Sequence, residues 1–443
     1  MRIKLSDHFT YGRIFRFVIP TVGMMIFVSI YGIVDGFFVS NFVGKTPFAA
    51  LNLIMPFIMV LGPIGYMMGT GGSAVIAKTM GEGHREKAIE YFSMMVYVTT
   101  IIGIILAIFG FIFMEPVAML LGATEDMLGY CVLYGRICMI SLPAFMLQGA
   151  FQTFMVTAEK PKLGLVITII AGCMNMVLDF LFIAVFNWGL AGAAVATAIS
   201  EFTGAIVPIV YFSRENDSLL SLGKFTMYWR VLGKTCVNGS SEMMSSISFS
   251  FVTALYNLQL MHFTGENGVA AFGVLMYVSF IYVGIFFGYA TGLSPVISYH
   301  FGARNKDELQ NLFGKSIKSM LACGTILMII SILLAKPLSM VFVGYDAELM
   351  ELTVRGMIIY SFGFAIVGFN IFGSALFTAL NNGIISAIIA GLRLLVFKSS
   401  MVLLLPVIWG IDGIWLSSVA GEVLSMAVTV LFIVRKRKNY NYF

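Results

Sequence analysis

The segments FNWGLAGAAVATAISE (186–201) and VIWGIDGIWLSSVAGE (407–422) decide the architecture. They lie about 220 residues apart and answer each other in order: Trp188 with Trp409, Gly189 with Gly410, Gly192 with Gly413 and Glu201 with Glu422. The same offset pairs Pro116 with Pro337, Gly71 with Gly292 and Gly44 with Gly265, and a shift of two pairs Arg136 with Arg355. Self-similarity on this scale marks a duplicated unit.

The repeat is written in an apolar chain. Of 443 residues, 59% are hydrophobic and only 11% charged, with a mean hydropathy of +0.94. Soluble chains are nearer half apolar and a quarter charged, so this is an integral membrane protein whose partner is the lipid bilayer. The basic start MRIKLSDHFTYGRIFRF runs straight into a span and does not read as a cleavable leader. A crossing helix needs about 20 apolar residues. Twelve segments qualify: 14–40, 50–77, 91–114, 128–155, 163–186, 189–213, 231–260, 269–297, 315–335, 350–378, 383–408 and 413–434. None alternates as a β-barrel strand would. Six spans per half is an even number, so the halves are parallel repeats about an axis along the membrane normal. The expected fold is all-α, with twelve transmembrane helices in two pseudo-symmetric six-helix lobes around a central cavity. An N-lobe occupies 1–213, a linker 214–230, a C-lobe 231–434 and a basic tail 435–443.

Lysine and arginine orient the bundle. With the N-terminus inside, 21 of the 27 basic residues fall on the inner side, including Arg2, Lys78, Lys160, Lys234, Lys315 and the tail RKRK (435–438). Only Lys45 and Lys336 fall outside, and Arg136, Arg355, Arg393 and Lys398 lie within spans. Both termini are therefore expected in the cytoplasm of a multi-pass cell (inner) membrane protein. The net charge of +5 follows from this topology and implies no nucleic-acid partner.

Several chemistries find no residues. The five cysteines are scattered without a CxxC pair. The four histidines fall near span ends or loops, so no intramembrane metal or nucleophile–base set assembles. No phosphate-binding glycine loop precedes a lysine as ATP hydrolysis requires. The expectation is no enzyme and no cofactor beyond a coupling ion. A chain that supplies both lobes is expected to work as a monomer.

The repeat is broken where charge appears. Asp35 aligns with Ala254, Asp179 with Lys398, Asn175 with Leu394 and Glu242 with Gly23. A carboxylate at membrane depth costs a few kcal/mol and usually faces a cavity. At about 1.5 Å of rise per residue, Asp35, Asp179, Thr197 and Tyr134 all lie roughly 8–12 Å from the outer ends of their spans. Asn175 sits one turn below Asp179 on the same face. Carboxylate, amide and hydroxyl oxygens together can hold a hard cation. Alternatively, two close carboxylates can share a proton. A structural role for Asp179, as a partner of Arg136, is the competing reading. Glu242 lies near the midplane in NGSSEMMSS (238–246), where it can carry a proton or attract a cationic guest beside Met243, or simply pair with Arg393. Glu201 and Glu422 match across the repeat, which favours a shared structural role. Lys398 is placed at the depth of Glu422 as its partner.

These residues carry a resemblance to the multidrug and toxic compound extrusion family. It rests on IPTVGMMIFVSIYGIVDGFFVSNFVG (19–44), NMVLDFLFI (175–183) and WGLAGAAVATAISE (188–201). GTGGSAVIAKTMGEG, YFS and NGSSEMM resemble its MepA-like bacterial branch. The resemblance covers essentially the whole chain. It implies an antiporter that exports cationic or amphipathic drugs against inward Na⁺ or H⁺. It also implies a coupling site at Asp35, Asn175, Asp179 and Thr197, the ligand set if the ion is Na⁺, with Tyr134 nearby, and a substrate- or proton-binding role for Glu242. One departure is that span 10, YSFGFAIVGFNIFGSALF (360–377), lacks the aspartate some members carry there. The rival reading is a flippase for lipid-linked precursors on a related scaffold. It needs a cationic cavity, for which Lys398 and Arg393 are the candidates.

Overall fold

The computed structural model describes residues 3–440 and 442; Arg2, counted above among the inner basic residues, and tail positions 441 and 443 lie outside them. The described residues form helices and no strand. In the first half these are α1 (Tyr11–Phe42), α2 (Lys45–Leu61), α3 (Pro63–Gly81), α4 (Arg85–Leu120), α5 (Glu125–Thr157), α6 (Pro161–Asp179) and α7 (Gly189–Ser213). The second half holds α8 (Trp229–Thr264), α9 (Glu266–Gly302), α10 (Lys306–Val343), α11 (Ala347–Ser361), α12 (Phe364–Ala379), α13 (Gly383–Gly391) and α14 (Ser399–Tyr440). A π-helical stretch, Phe180–Val185, continues α6, and another, Leu392–Lys398, joins α13 to α14.

These helices make twelve crossings once their breaks are read physically. α2 and α3 are one span interrupted at Gly62, because Pro63 has no N–H to give to the preceding turn. α11 and α12 are one span bent by 48°. The last two spans run together through Gly410, whose φ of 56° and ψ of −135° turn the chain at the membrane edge. That conformation has no Cβ clash only for glycine. α8 is too rich in serine and glycine to pass for a span on hydropathy alone, and its polar face lines the interior instead. Helices overshoot the expected spans: α10 has 38 residues where 315–335 was expected. Its polar ends continue past the roughly 30 Å hydrocarbon layer.

The duplication is visible in the backbone. Positive φ recurs at Gly44 and Gly265, Gly83 and Arg304, and Gly189 and Gly410. Each pair is separated by the repeat offset. Both π-helical stretches fall in the fifth span of their half, one starting after Asp179 and the other ending at its counterpart Lys398.

The lobes close on one another at the end of the bundle that carries the termini. α3 packs along α8 and α9, whereas α2, the other half of the same span, barely touches α8. The seam is made of glycines. A Cβ on Gly239 would lie 2.0 Å from the Met67 carbonyl oxygen, and one on Gly71 would lie 2.1 Å from that of Thr235. Gly302 against Lys78 and Gly81 against Tyr299 repeat the arrangement at 2.1 and 2.0 Å. The N-terminal segment straps the same end. The Leu5 N–H donates to Glu159 (2.7 Å) in the first lobe, and the Phe9 N–H donates to Glu308 (2.9 Å) in the second. Leu5 and Phe9 are fully buried.

Candidate functional site

Four helices of the first lobe bring the expected coupling residues together. α1 supplies Asp35, the end of α6 supplies Asn175 and Asp179, α7 supplies Thr197 and α5 supplies Tyr134. The carboxyl groups of Asp35 and Asp179 lie within hydrogen-bonding reach of each other. Asp179 is fully buried, and neither of its oxygens receives a donor. Asn175, 2% exposed, donates from Nδ2 to Thr197 Oγ1 at 3.5 Å, while its Oδ1 has no partner. Tyr134 is buried and close enough to feel the charge of Asp35. A buried acceptor without a donor is costly, and positive charge brought among these oxygens would relieve that cost. A small cation among these oxygens or a proton between the two carboxyls would each do so.

π-helical turns widen a helix by one residue and recur at functional sites. Here the turn begins right after Asp179, which sets that side chain at the junction. Arg136 offers no counter-charge to Asp179. Its guanidinium lies 5.2 Å over the Phe111 ring and donates to the Phe111 carbonyl. The competing Asp179–Arg136 pairing is therefore absent.

The equivalent place in the second lobe carries its own counter-charges. Glu422, 1% exposed, accepts from Arg393 Nε at 3.0 Å and Lys398 Nζ at 3.0 Å, and Asn370 donates to it at 2.8 Å. The expected Lys398–Glu422 pair is present. Arg393 corrects a different expectation, because its partner is Glu422 and not Glu242.

Glu242 faces a pocket between the lobes. Thr70 and Thr153 line it from one lobe, and Ser294, Thr378 and Arg393 from the other. The cavity measures about 40 Å³, room for two or three waters and far below the several hundred Å³ of a drug site. Met243, expected beside it as a substrate contact, does not line this pocket. One residue along a helix is a turn of about 100°, which carries Met243 to another face.

Sequence reading left one residue of this region in the structural class. Glu201 lies one turn along α7 from Thr197, partly buried, with the Ser141 hydroxyl beside it. The signal that separates it from Glu422 was available, since Lys398 and Arg393 have no basic counterpart in the first half.

A MatE family profile matches residues 20–181 and 243–403, one copy in each half. The chain belongs to the MatE family. Asp35, Asn175 and Asp179 fall within the first matched segment. The multidrug export protein MepA of Staphylococcus saprophyticus is 24% identical over 360 residues, covering 80% of this chain and 79% of that protein. MepA of Staphylococcus aureus is 25% identical over 308 residues, covering 69% and 67%. Among solved structures, an outward-facing multidrug resistance MATE family transporter of the MOP superfamily superposes with a TM-score of 0.91 at 21% identity, over 97% of this chain and 96% of that one. A MATE in complex with MaL6 gives 0.92 at 20% identity, over 97% of each. A MOP superfamily transporter from Pyrococcus furiosus, described as having a binding pocket of reverse polarity, gives 0.88 at 21% identity over 96% of each. This member of the MatE family thus has the two-lobe, all-helical transporter fold.

Proposed function

We propose that this protein is a secondary antiporter that exports cationic and amphipathic small molecules, multidrug substrates like those named for its MepA relatives, in exchange for Na⁺ or H⁺. The observation that carries the reading is the contrast between lobes. One holds a carboxylate pair, fully buried at Asp179, with acceptors lacking donors, and the other holds a glutamate salt-bridged to an arginine and a lysine. An ion gradient needs a site whose charge changes with occupancy, and the Asp35–Asp179 cluster is such a site.

By the distribution of lysine and arginine, both termini lie in the cytoplasm, and the N-lobe, linker and C-lobe follow the boundaries given above. The glycine seam then seals the cytoplasmic side, and the lobes part outward along α2. In this outward-facing state the coupling cation enters at Asp35 and Asp179, with Asn175 and Thr197 as further oxygen ligands and Tyr134 beside them. Binding removes the repulsion between the two carboxylates and lets α1 repack, with Pro20 as its flexible point because it leaves the Arg16 carbonyl without a helical donor. Drug leaves outward, the lobes rock, and release of the cation to the cytoplasm restores drug affinity. Coupling of this kind requires that cation and drug differ in preference between the two states. Glu242 in its small hydroxyl-lined pocket acts on a proton or small cation in this state, and a drug can reach it only once the lobes reopen. The flippase alternative is weakened, because Arg393 and Lys398 are both paired with Glu422 and Arg393 shares its pocket with the acidic Glu242. Substrate efflux from cells carrying Asp35→Asn or Asp179→Asn tests the reading: loss of gradient-driven export is expected, and full retention would refute it.

A further inference from the structure

Glu422 shows what this scaffold does with a glutamate it wants inert. Three side chains reach it within 3.1 Å: Asn370, Arg393 and Lys398. Glu201 is the same position of the other half. By the repeat, Asn370 corresponds to Gly149 at the offset that pairs Glu201 with Glu422, and Arg393 and Lys398 correspond to Met174 and Asp179 at the shift of two that pairs Arg136 with Arg355. None carries positive charge, and one adds a second negative charge. At Gly149 the Tyr66 ring packs close, so that an added Cβ would meet it at 3.0 Å. Glu201 is therefore a membrane-embedded carboxylate stripped of the counter-charges its duplicate keeps. The Ser141 hydroxyl lies beside it.

Its surroundings point both ways along the lobe. Tyr31, one turn before Asp35 on α1, and Tyr134 each lie within electrostatic range of both Asp35 and Glu201. Tyr66 lies within range of both Glu201 and Glu242 and contacts Gln152, whose Oε1 is buried without a donor. Asp35, Asp179 and Glu201 do not form one three-carboxylate metal set among the described residues. Tyr31 and Tyr134 thus link Glu201 to Asp35, and Tyr66 links it to Glu242.

We propose that Glu201 is a second cation-holding carboxylate of the N-lobe, a station between the Asp35–Asp179 pair and Glu242, and that each transport cycle loads it with its own monovalent cation, H⁺ or Na⁺. Tyr31 and Tyr134 line the passage from the outer station, and Tyr66 lines the passage inward. The proposal rests on the antiport reading above and adds a count to it, since the N-lobe then exchanges two cations where the aspartate pair alone would exchange one.

That count is measurable in proteoliposomes at zero membrane potential with a fixed tenfold gradient of the coupling ion. Each exchanged cation contributes one factor of ten to the steady-state substrate gradient. Glu201→Gln should lower that gradient tenfold, and Glu201→Asp should keep the wild-type value. Met174→Arg puts a guanidinium at the position that answers Arg393, where the Met174 Sδ lies 3.4 Å from Thr203 two residues along α7 from Glu201, and should lower the gradient as Glu201→Gln does while leaving the protein monodisperse. An unchanged steady-state gradient in either Glu201→Gln or Met174→Arg, including a loss of rate alone, would overturn the proposal. If Glu201→Gln does not fold, Met174→Arg carries the same decision. Asp35→Asn separates this proposal from the reading beneath it. Retained coupling in Asp35→Asn sinks the antiport mechanism, whereas lost coupling there with an unchanged gradient in Glu201→Gln sinks only the second station.

Discussion

The glycine seam makes a quantitative demand on Gly239→Ala. The new Cβ would stand 2.0 Å from the Met67 carbonyl oxygen, where ordinary contact begins near 3.4 Å. Backbone on both sides must therefore part by about 1.4 Å. No flexible side chain can absorb the clash, because the obstacle is the main chain of α3. Overpacking of this kind costs about 1–3 kcal/mol. Here the cost falls only on the state in which α3 and α8 touch, so it shifts the balance toward the alternative state by about 5–150-fold. Cys236 reports the change. It lies one turn before Gly239, and its Sγ is 4.0 Å from Met68 Sδ across the seam. In a variant retaining Cys236 as its single cysteine, Gly239→Ala should raise the rate of maleimide labelling from the cytoplasmic side by at least fivefold. Drug efflux should fall as the two states lose their balance. Labelling within twofold of the parent, with normal efflux, would refute the claim that this seam is the closed gate.

Other outcomes follow from the same geometry. Glu422→Gln leaves Arg393 and Lys398 without their counter-charge and should destabilise the C-lobe by about 3–5 kcal/mol, read as a fall in the detergent-solubilised melting temperature. Adding Lys398→Gln should recover part of the loss. Glu308→Ala removes the acceptor for the Phe9 N–H and the partner of His8 at 2.6 Å. Each charge-assisted bond is worth about 1.5–3 kcal/mol, so trypsin should reach Arg13 faster while the core fragment stays intact. Met243→Ala should leave export within twofold of wild type, since Met243 does not line the Glu242 pocket, whereas Glu242→Gln should impair it at least tenfold.

The membrane class, the twelve crossings and the duplication were legible because apolar run length and a recurring Trp-Gly pattern depend only on local sequence. Asp35, Asn175, Asp179 and Thr197 were legible for a related reason. Polar residues gathered at one helical depth in a lipid-suited chain are costly unless they share a cavity. Partner choice was not legible. Rise along a helix gives depth but not azimuth, so Arg393 was offered as the partner of Glu242 when it lines the same pocket but pairs with Glu422, and Met243 was set in a pocket it turns away from. Long helical overshoots such as that of α10 were also hidden, because polar ends beyond the hydrocarbon carry no hydropathy signal. Glu201 was read together with Glu422 for a related reason. Matching glutamates across a repeat suggested matching roles, yet a role is set by neighbours, and its neighbours were the ones that had changed.

The central claim is that the Asp35–Asp179 cluster converts an ion gradient into export. It is tested most directly in proteoliposomes carrying wild type, Asp35→Asn or Asp179→Asn, with ΔpH and ΔNa⁺ imposed separately. Wild type should move a cationic dye in response to at least one of the two gradients, and both variants should lose that response by at least tenfold while remaining folded. Gradient-driven transport at the wild-type rate in both variants would contradict the account.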